Sequence, residues 1–295
     1  MADPSRPLAV IVNPAAGGGR ALKALPAIRA ELDRLGADYR VVETTSADHA
    51  RKEASAAVAA GVKVGALGGD GLIGTLAGDL CGSEVPLAVL PGGRGNDLAR
   101  VLGIPTDPAD AARVAVEGEE RPIDVGEANG KTFVGIASAG VDSDANRIAN
   151  EAKLVKGNLV YLYAAVRALA QWRDATFEVT VDGRHHTFRG CQVVVGNSKA
   201  YGGGMYALPH AELDDGLLDV LVTTQKPKLG LLKLTLKSFT GSHVDDPALR
   251  FLRGREVEVR ADRPFEVYAD GDPIAELPAK IRVAERVLRV MVPAS

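Results

Sequence analysis

Two glycine clusters, each set directly after a short apolar strand, constrain this chain more than any other feature. Gly68-Gly69-Asp70-Gly71 follows the strand pattern of residues 64–67, and Pro91-Gly92-Gly93-Arg94-Gly95-Asn96-Asp97 follows that of residues 87–90. Glycine at a strand end lets the backbone approach a ligand closely and aim successive N–H groups at an anion. An aspartate between glycines at the carboxyl end of a parallel strand lies where α/β sheets bind ligands. Two such turns in succession predict a cradle for phosphates and a divalent metal, and hence phosphoryl transfer. Arg94 suits phosphate oxygens, whereas Asn96 and Asp97 suit helix capping equally well.

The residues around these clusters alternate strand and helix. Strands are expected at 8–12, 39–43, 64–67 and 87–90, and helices at 21–35, from Ser46 or Thr45 to Gly61, at 72–80, from Asn96 or Asp97 to Gly103, and from Asp107-Pro108 to Gly118. Gly36 is placed to end the first helix in the left-handed conformation, and Pro108 takes its favoured first-turn position. Apolar strands alternating with helices argue for a parallel sheet covered on both faces. After Arg121 the pattern changes to antiparallel alternation. Asn129-Gly130 joins strands 123–127 and 132–136, Asp182-Gly183 joins 177–181 and 187–195, and further strands are expected at 217–223, 256–260, 265–268 and 287–292. Only two helices, about 159–172 and 230–239, are expected to interrupt them. The reading is an α/β domain over 1–125 and a mainly antiparallel β-sandwich over 126–295, with the C-terminal tail packing back on the first domain.

Composition narrows the function. With 295 residues, 46% hydrophobic and 25% charged, the chain needs no staples for its core. A formal net charge of −3 gives no support to nucleic-acid binding. Cys81 and Cys191 match no zinc or redox spacing and read as free thiols in a reducing cytosol. The five histidines show no ligand spacing, and neither HExxH nor a nucleophile elbow occurs, which argues against zinc hydrolases and acyl transfer. Residues 1–8 lack the apolar run of a signal peptide, and the apolar segment 159–170 falls short of the roughly 20 residues that span a bilayer. A cytoplasmic protein is expected, at most peripheral to a membrane.

Other segments admit two readings. Residues 13–19, Asn13-Pro14-Ala15-Ala16-Gly17-Gly18-Gly19, stand between strand and helix as either a phosphate cradle or a plain turn; they lack the Lys-Ser/Thr of a P-loop. Asp270-Gly271 reads as a hairpin turn. Glu212-Leu213-Asp214-Asp215-Gly216-Leu217 suits either a hard cation or a solvated turn. The helix at 159–172 carries Tyr161, Tyr163 and Trp172 with Lys153, Lys156, Arg167 and Arg173 around it. Core packing is its first reading, and lipid contact its second.

In order and spacing these motifs, with Thr44, Ile123-Asp124-Val125-Gly126 and Asp270-Gly271-Asp272, resemble the bacterial diacylglycerol kinase-like lipid kinases, relatives of sphingosine and ceramide kinases and, distantly, of NAD kinases. The resemblance implies a lipid kinase using ATP and magnesium, with a cleft between its domains, a lipid alcohol as substrate and a transient membrane surface as partner. The alternatives are a kinase of a sphingoid base or of NAD, and a nucleotide- or lipid-binding relative that has lost turnover. An unpaired sheet edge in either domain would suit a homodimer. The resemblance also implies that Asn13, Pro14, Ala15, Ala16, Gly17, Thr44, Gly68, Gly69, Asp70, Gly71, Leu72, Ile73, Gly74, Thr75, Gly93, Arg94 and Asn96 line the nucleotide. Asp70, Asp97 and Asp124 would organise catalytic magnesium. Asp270 would accept the proton of the lipid hydroxyl, which replaces the turn-only reading of that residue. Asp215, with the backbone oxygens of Glu212 and Leu217, would hold a second, structural magnesium. The chain departs from the family at Leu72, Gly74 and Thr75, where threonine and an asparagine–glutamate pair are usual, and at Arg94, where threonine or serine is commoner.

Overall fold

Four parallel strands carry the first half of the chain, and their order in the sheet differs from their order in sequence. The structure, a computed structural model, describes residues 6–151 and 159–294, with side chains left out at 150–151, 159–162 and 165. It divides into two compact units, one running through Val125 and taking in the segment from Glu285, the other Gly126–Ala284.

The first unit contains β1 (Leu8–Val12), α1 (Arg20–Arg34), β2 (Tyr39–Glu43), α2 (Ala47–Ala59), β3 (Lys63–Gly68), α3 (Asp70–Leu80), β4 (Leu87–Pro91), α4 (Asp97–Val101) and α5 (Pro108–Glu117). The sheet order is β2-β1-β3-β4, all parallel. Each residue of β1 and β3 is buried, as expected for strands covered by helices on both faces. Local signals act as read. Ser46 accepts the His49 N–H to cap α2, Asp107 caps α5 through Ala109 and Asp110, and Gly36 follows α1 at φ 65°. Helix α3 begins at Asp70 rather than 72, which puts that aspartate in the first turn.

Helices α1 and α5 are joined by charge. Glu31 accepts from Arg34 at 2.7 and 2.8 Å and from Arg113 at 2.9 and 3.1 Å. The Arg34 hydrogen bond, reinforced by Arg113 against the opposing effect of burial, holds the Glu31 carboxyl at about 2, against an ordinary 4.5. A carboxyl depressed in the folded state stabilises fully above its unfolded value and loses that contribution as pH falls. Urea unfolding of wild type and Glu31→Gln should therefore differ most above pH 4.5 and converge as pH falls toward 2. A gap that does not change with pH would refute this linkage.

The second unit contains β6 (Lys131–Phe133), β7 (Ile136–Gly140), α6 (Val141–Glu151), α7 (Leu159–Gln171), β8 (Ala175–Val181), β9 (Arg184–Gly196), β10 (Leu218–Thr224), α8 (Lys228–Ser238), β11 (Leu249–Gly254), β12 (Glu256–Ala261), β13 (Glu266–Ala269) and β14 (Asp272–Glu276); β5 (Glu119–Ala128) leads into it and β15 (Ala279–Val292) leads out. The antiparallel order is β14-β13-β7-β9-β8-β12-β15, with β10 on β9 and β11 on β10. Val193, Val195, Val220 and Val222 face a core with Phe177, Val179 and Trp172, while Val194 and Leu221 face a second core with Leu208 and Leu234. Strands β9 and β10 are thus apolar on both faces, as in a sandwich interior.

Five expectations need correction. The expected strand 132–136 is two elements, β6 and β7, because the Val134 and Gly135 amides leave the ladder and bind the Asp270 carboxylate. A third helix, α6, interrupts the strands; its stripe of Val141, Ala145, Ile148 and Ala149 packs against Ala164 and Ala168. Small alanines made that stripe hard to see. Strand β11 was not expected. Nor was β14, whose Pro273 is tolerable on a sheet edge. Strand β15 starts at Ala279 rather than 287. Its first part pairs with β12, and Val290 near its end pairs with Leu87 of β4.

Candidate active site

The register aligns the carboxyl ends of all four parallel strands. Val12 stands beside Glu43 and Leu67, and Gly68 beside Pro91. The chain leaves β1 toward β2 on one side and leaves β3 toward β4 on the other, so the crevice between β1 and β3 is a topological switch point, the ordinary ligand position of such sheets. The loops after β1 and β3 flank it. Thr44, at the end of β2, is buried and donates its hydroxyl to the Val12 carbonyl at 2.9 Å.

Glycine is required here because three loops meet backbone to backbone. A Cβ on Gly93 would lie 2.4 Å from the Gly69 Cα, and one on Gly17, at φ 60°, would lie 2.6 Å from the Gly92 carbonyl oxygen. Asn13 accepts the Ala15 N–H and shapes the first loop, and Asn96, at φ 52°, accepts the Gly93 N–H at 2.9 Å and shapes the third. Gly69 precedes α3 and offers no side-chain cap; the Leu72 and Ile73 N–H groups donate to its carbonyl, which leaves the Gly71 N–H, in the first turn of an eleven-residue helix, to an anion. Arg94 is exposed, and among the described residues no hydrogen bond or ion pair holds its guanidinium.

Some of the side chains expected at the nucleotide are engaged in α3 instead. Leu72 packs over Gly68, and Thr75 donates to the Gly71 carbonyl at 2.8 Å, so both serve the start of α3. Ile73 is buried. Leu72 and Thr75, two of the residues at which the sequence departs from the pattern it resembles, thus serve the helix itself, and the three loops still meet at Gly17, Gly69 and Gly93.

Asp70 and Asp97 form a coupled pair. Asp70 Oδ1 accepts the Asp97 N–H at 2.8 Å and the Leu98 N–H at 3.4 Å, bracing α3 against α4. Burial, and next the Asp97 charge, raise the Asp70 carboxyl above the ordinary range. Asp97 binds Arg100 at 2.6 Å, a partner the sequence reading missed although it lies one helical turn away. Among the described residues no cluster of three or more acidic, cysteine or histidine side chains is arranged to hold a metal. Magnesium at nucleotide sites typically takes one or two carboxylates and completes its shell with phosphates and water. The Asp70–Asp97 pair beside the cradle supplies two carboxylates for that requirement, with the Asp97 oxygen now bound to Arg100 to be shared or released on metal binding. Asp124 on β5 is fully buried and accepts the Arg286 N–H at 2.7 Å, with Arg286 at φ 50°.

In the second unit Asp270 occupies the β13–β14 turn at φ 52°, followed by Gly271 at φ 96°. Its two oxygens accept the Val134 and Gly135 amides at 2.8 and 3.0 Å. Hairpin turn and oriented carboxylate coexist in one residue. Asp215 accepts the Leu217 N–H at 3.0 Å, and its other oxygen pairs with Arg253, which also reaches Asp219 at 3.3 Å. A guanidinium thus already neutralises the one carboxylate of the expected second magnesium site. Burial pushes Asp219 up to about 6, opposed by His210 and aided by Glu212.

Asp142, at the start of α6, also escaped the sequence reading. Tyr201 donates to it at 2.5 Å, and burial pushes its carboxyl up to about 6. A cavity of about 320 Å³ nearby is lined by Asp144, Arg147, Arg263, Phe265, Glu266 and Glu276, among others. Trp172 is buried against Phe265 at 5.7 Å under Arg263, whereas Tyr163 is exposed and accepts from Arg167. The core-packing reading of helix 159–172 therefore holds for the Trp172 face, while Tyr163 stays at the surface; Lys153, Lys156 and the Tyr161 side chain lie outside the described residues. Both cysteines are free, and no helix among the described residues is long and apolar enough to cross a membrane.

Comparison with known proteins agrees with this geometry. Residues 7–128 match the diacylglycerol kinase catalytic domain, and residues 135–292 match the YegS C-terminal NAD kinase beta sandwich-like domain. A diacylglycerol kinase of Mycobacterium tuberculosis is 35% identical over 96% of this chain and 94% of its own length. A Pseudomonas aeruginosa protein described as a probable lipid kinase YegS-like is 32% identical over 99% of this chain and 96% of its own. A solved Bacillus anthracis structure described as a diacylglycerol kinase shares the fold, with a TM-score of 0.76 at 23% identity, over 98% of this chain and 97% of that one. With the two domains matched in order along the chain and a diacylglycerol kinase 35% identical over nearly its whole length, this chain belongs to the diacylglycerol kinase family of lipid kinases.

Proposed function

We propose that the chain transfers the terminal phosphoryl group of ATP to a hydroxyl of diacylglycerol or a related lipid at a membrane surface. The observation that carries this reading is the three-loop glycine cradle with the Asp70–Asp97 pair at its edge. Phosphoryl transfer needs positioning and charge neutralisation more than covalent help. The Gly71 amide in the first turn of α3 and the Arg94 guanidinium hold the triphosphate. Asp70 and Asp97 are the residues that would hold catalytic magnesium, which when bound neutralises phosphate charge. Asp124 keeps the third acidic position of this set. Asp270, held by two amides, orients the lipid hydroxyl and takes its proton as the hydroxyl oxygen bonds to phosphorus. The bond from that phosphorus to the bridging oxygen breaks, and ADP leaves with the electron pair. A structural magnesium at Glu212, Asp215 and Leu217 would require Arg253 to release Asp215.

A second reading has one specific observation behind it. The cavity beside α6 is lined by three acidic side chains and two arginines, which suits an acceptor with a charged head, such as a sphingoid base. Magnesium-dependent transfer of labelled phosphate from ATP, with diacylglycerol, ceramide, a sphingoid base and NAD in parallel, tests both. Labelling of diacylglycerol above the rest supports the first reading, and preference for the sphingoid base supports the second. Labelling of NAD alone, or of no acceptor, would overturn both.

Arg94→Ala is expected to raise KM for ATP roughly tenfold with little change in kcat, the loss of one charge-assisted hydrogen bond made equally in ground and transition states. Steady-state kinetics with varied ATP checks it, and an unchanged KM removes Arg94 from the site.

A further inference from the structure

Helix α8 is apolar on two opposite faces. Leu231 and Leu234 turn into the cores of the second unit. On the other side Leu229, Leu232 and Leu236, with Phe239 just beyond the helix, are 76, 40, 63 and 47% exposed. Steps of three, four and three residues keep these four on one stripe. Single exposed apolar residues are ordinary, but a continuous stripe on one short helix is a surface feature that calls for a partner.

Charge identifies the partner. At 100° per residue Lys233 and Lys237 border the stripe on one side and Lys228 on the other. The helix has no acidic residue, although the whole chain carries a net charge of −3. Lys228 donates to the Ala170 carbonyl at 2.5 Å, whereas Lys233 and Lys237 are exposed, with no hydrogen bond or ion pair to their ammonium groups among the described residues. Leucines flanked by lysines on a surface helix match an anionic bilayer, the leucines entering the acyl boundary and the lysines reaching lipid phosphates. A second copy fits less well, because a two-fold contact through this stripe would bring two lysine rows together.

We propose that the Leu229–Leu232–Leu236–Phe239 face of α8 docks the chain on an anionic bilayer. This rests on the reading that the phosphoryl acceptor is a membrane lipid. Docking through α8 would keep the enzyme on the surface that holds its substrate, and it would weaken as salt screens the lysines.

Co-sedimentation with vesicles, without nucleotide, tests the proposal. The probes are phosphatidylcholine vesicles with and without phosphatidylglycerol. Wild type should partition onto the anionic vesicles. Lys233→Gln with Lys237→Gln should lower that partition about thirtyfold, and Leu229→Gln with Leu236→Gln at least about tenfold. All three proteins should phosphorylate lipid in neutral detergent micelles at equal rates, since none of these residues is in the catalytic machinery. The proposal is overturned if wild type does not bind anionic vesicles, or if both variants bind as wild type does. It is equally overturned if wild type is a dimer that the leucine variant converts to monomer, which would assign the stripe to a second copy. Failure of the micelle assay in wild type would count against the kinase reading alone, because vesicle binding is read without turnover.

Discussion

Asp270→Asn is expected to lower kcat for lipid phosphorylation by about 10²- to 10⁴-fold, the usual contribution of a positioned general base. Asparagine is the informative substitution. It tolerates the positive φ of 52° at this turn, and its side-chain oxygen still accepts one of the Val134 and Gly135 amides. Asp270→Ala is a poorer test. It leaves two amides without their acceptor, at about 1–3 kcal/mol for each that is buried, and adds left-handed strain. Its loss of activity would mix folding with chemistry. Steady-state kinetics beside thermal unfolding separates the two. If Asp270→Asn keeps activity within tenfold of wild type, Asp270 is a turn residue that happens to carry a carboxylate.

Gly93→Ala should weaken ATP binding at least tenfold and destabilise the first unit by about 1–3 kcal/mol, the range for forcing extra atoms into a packed site. The new Cβ would lie 2.4 Å from the Gly69 Cα, 2.9 Å from the Asn96 side-chain oxygen and 3.2 Å from the Gly69 nitrogen. Two of those three contacts are backbone, so the loops must part, and the open Gly71 amide at the start of α3 moves with Gly69. Gly18→Ala is the control. Its Cβ meets nothing within 4 Å, and it costs only the left-handed strain at φ 71°, about 1–2 kcal/mol. Binding of a non-hydrolysable ATP analogue by calorimetry, with urea unfolding, distinguishes them. Equal ATP affinity in both variants would mean that contact between the loops does not shape the nucleotide site.

Much of the fold can be read locally. Ser46, Asp107-Pro108 and Gly36 bound their helices, and Asn129-Gly130 and Asp182-Gly183 make their hairpins with positive φ at both residues, because each signal acts within a few residues of itself. Elements that depend on distant partners were missed. Strand β15 alternates Lys280 and Arg282 with Ile281 and Val283, then loses that stride at Ala284-Glu285-Arg286, and it is held by pairing with β12 and β5, both earlier in the chain. Helix α6 has an alanine stripe that acquires meaning only against α7.

The site divides in the same way. The amino-acid sequence alone determined where the backbone could turn tightly and leave amides free, because glycine's conformational freedom belongs to the residue and needs no neighbour. It also determined which carboxylates existed. Which groups each carboxylate meets was settled by pairing across long stretches of chain. Asp70 meets the amides of Asp97 and Leu98, Asp124 that of Arg286, and Asp270 those of Val134 and Gly135, with the last two pairings separated by more than 130 residues. A carboxylate's charge is governed by the water it loses and the donors it gains, and both depend on everything that folds around it.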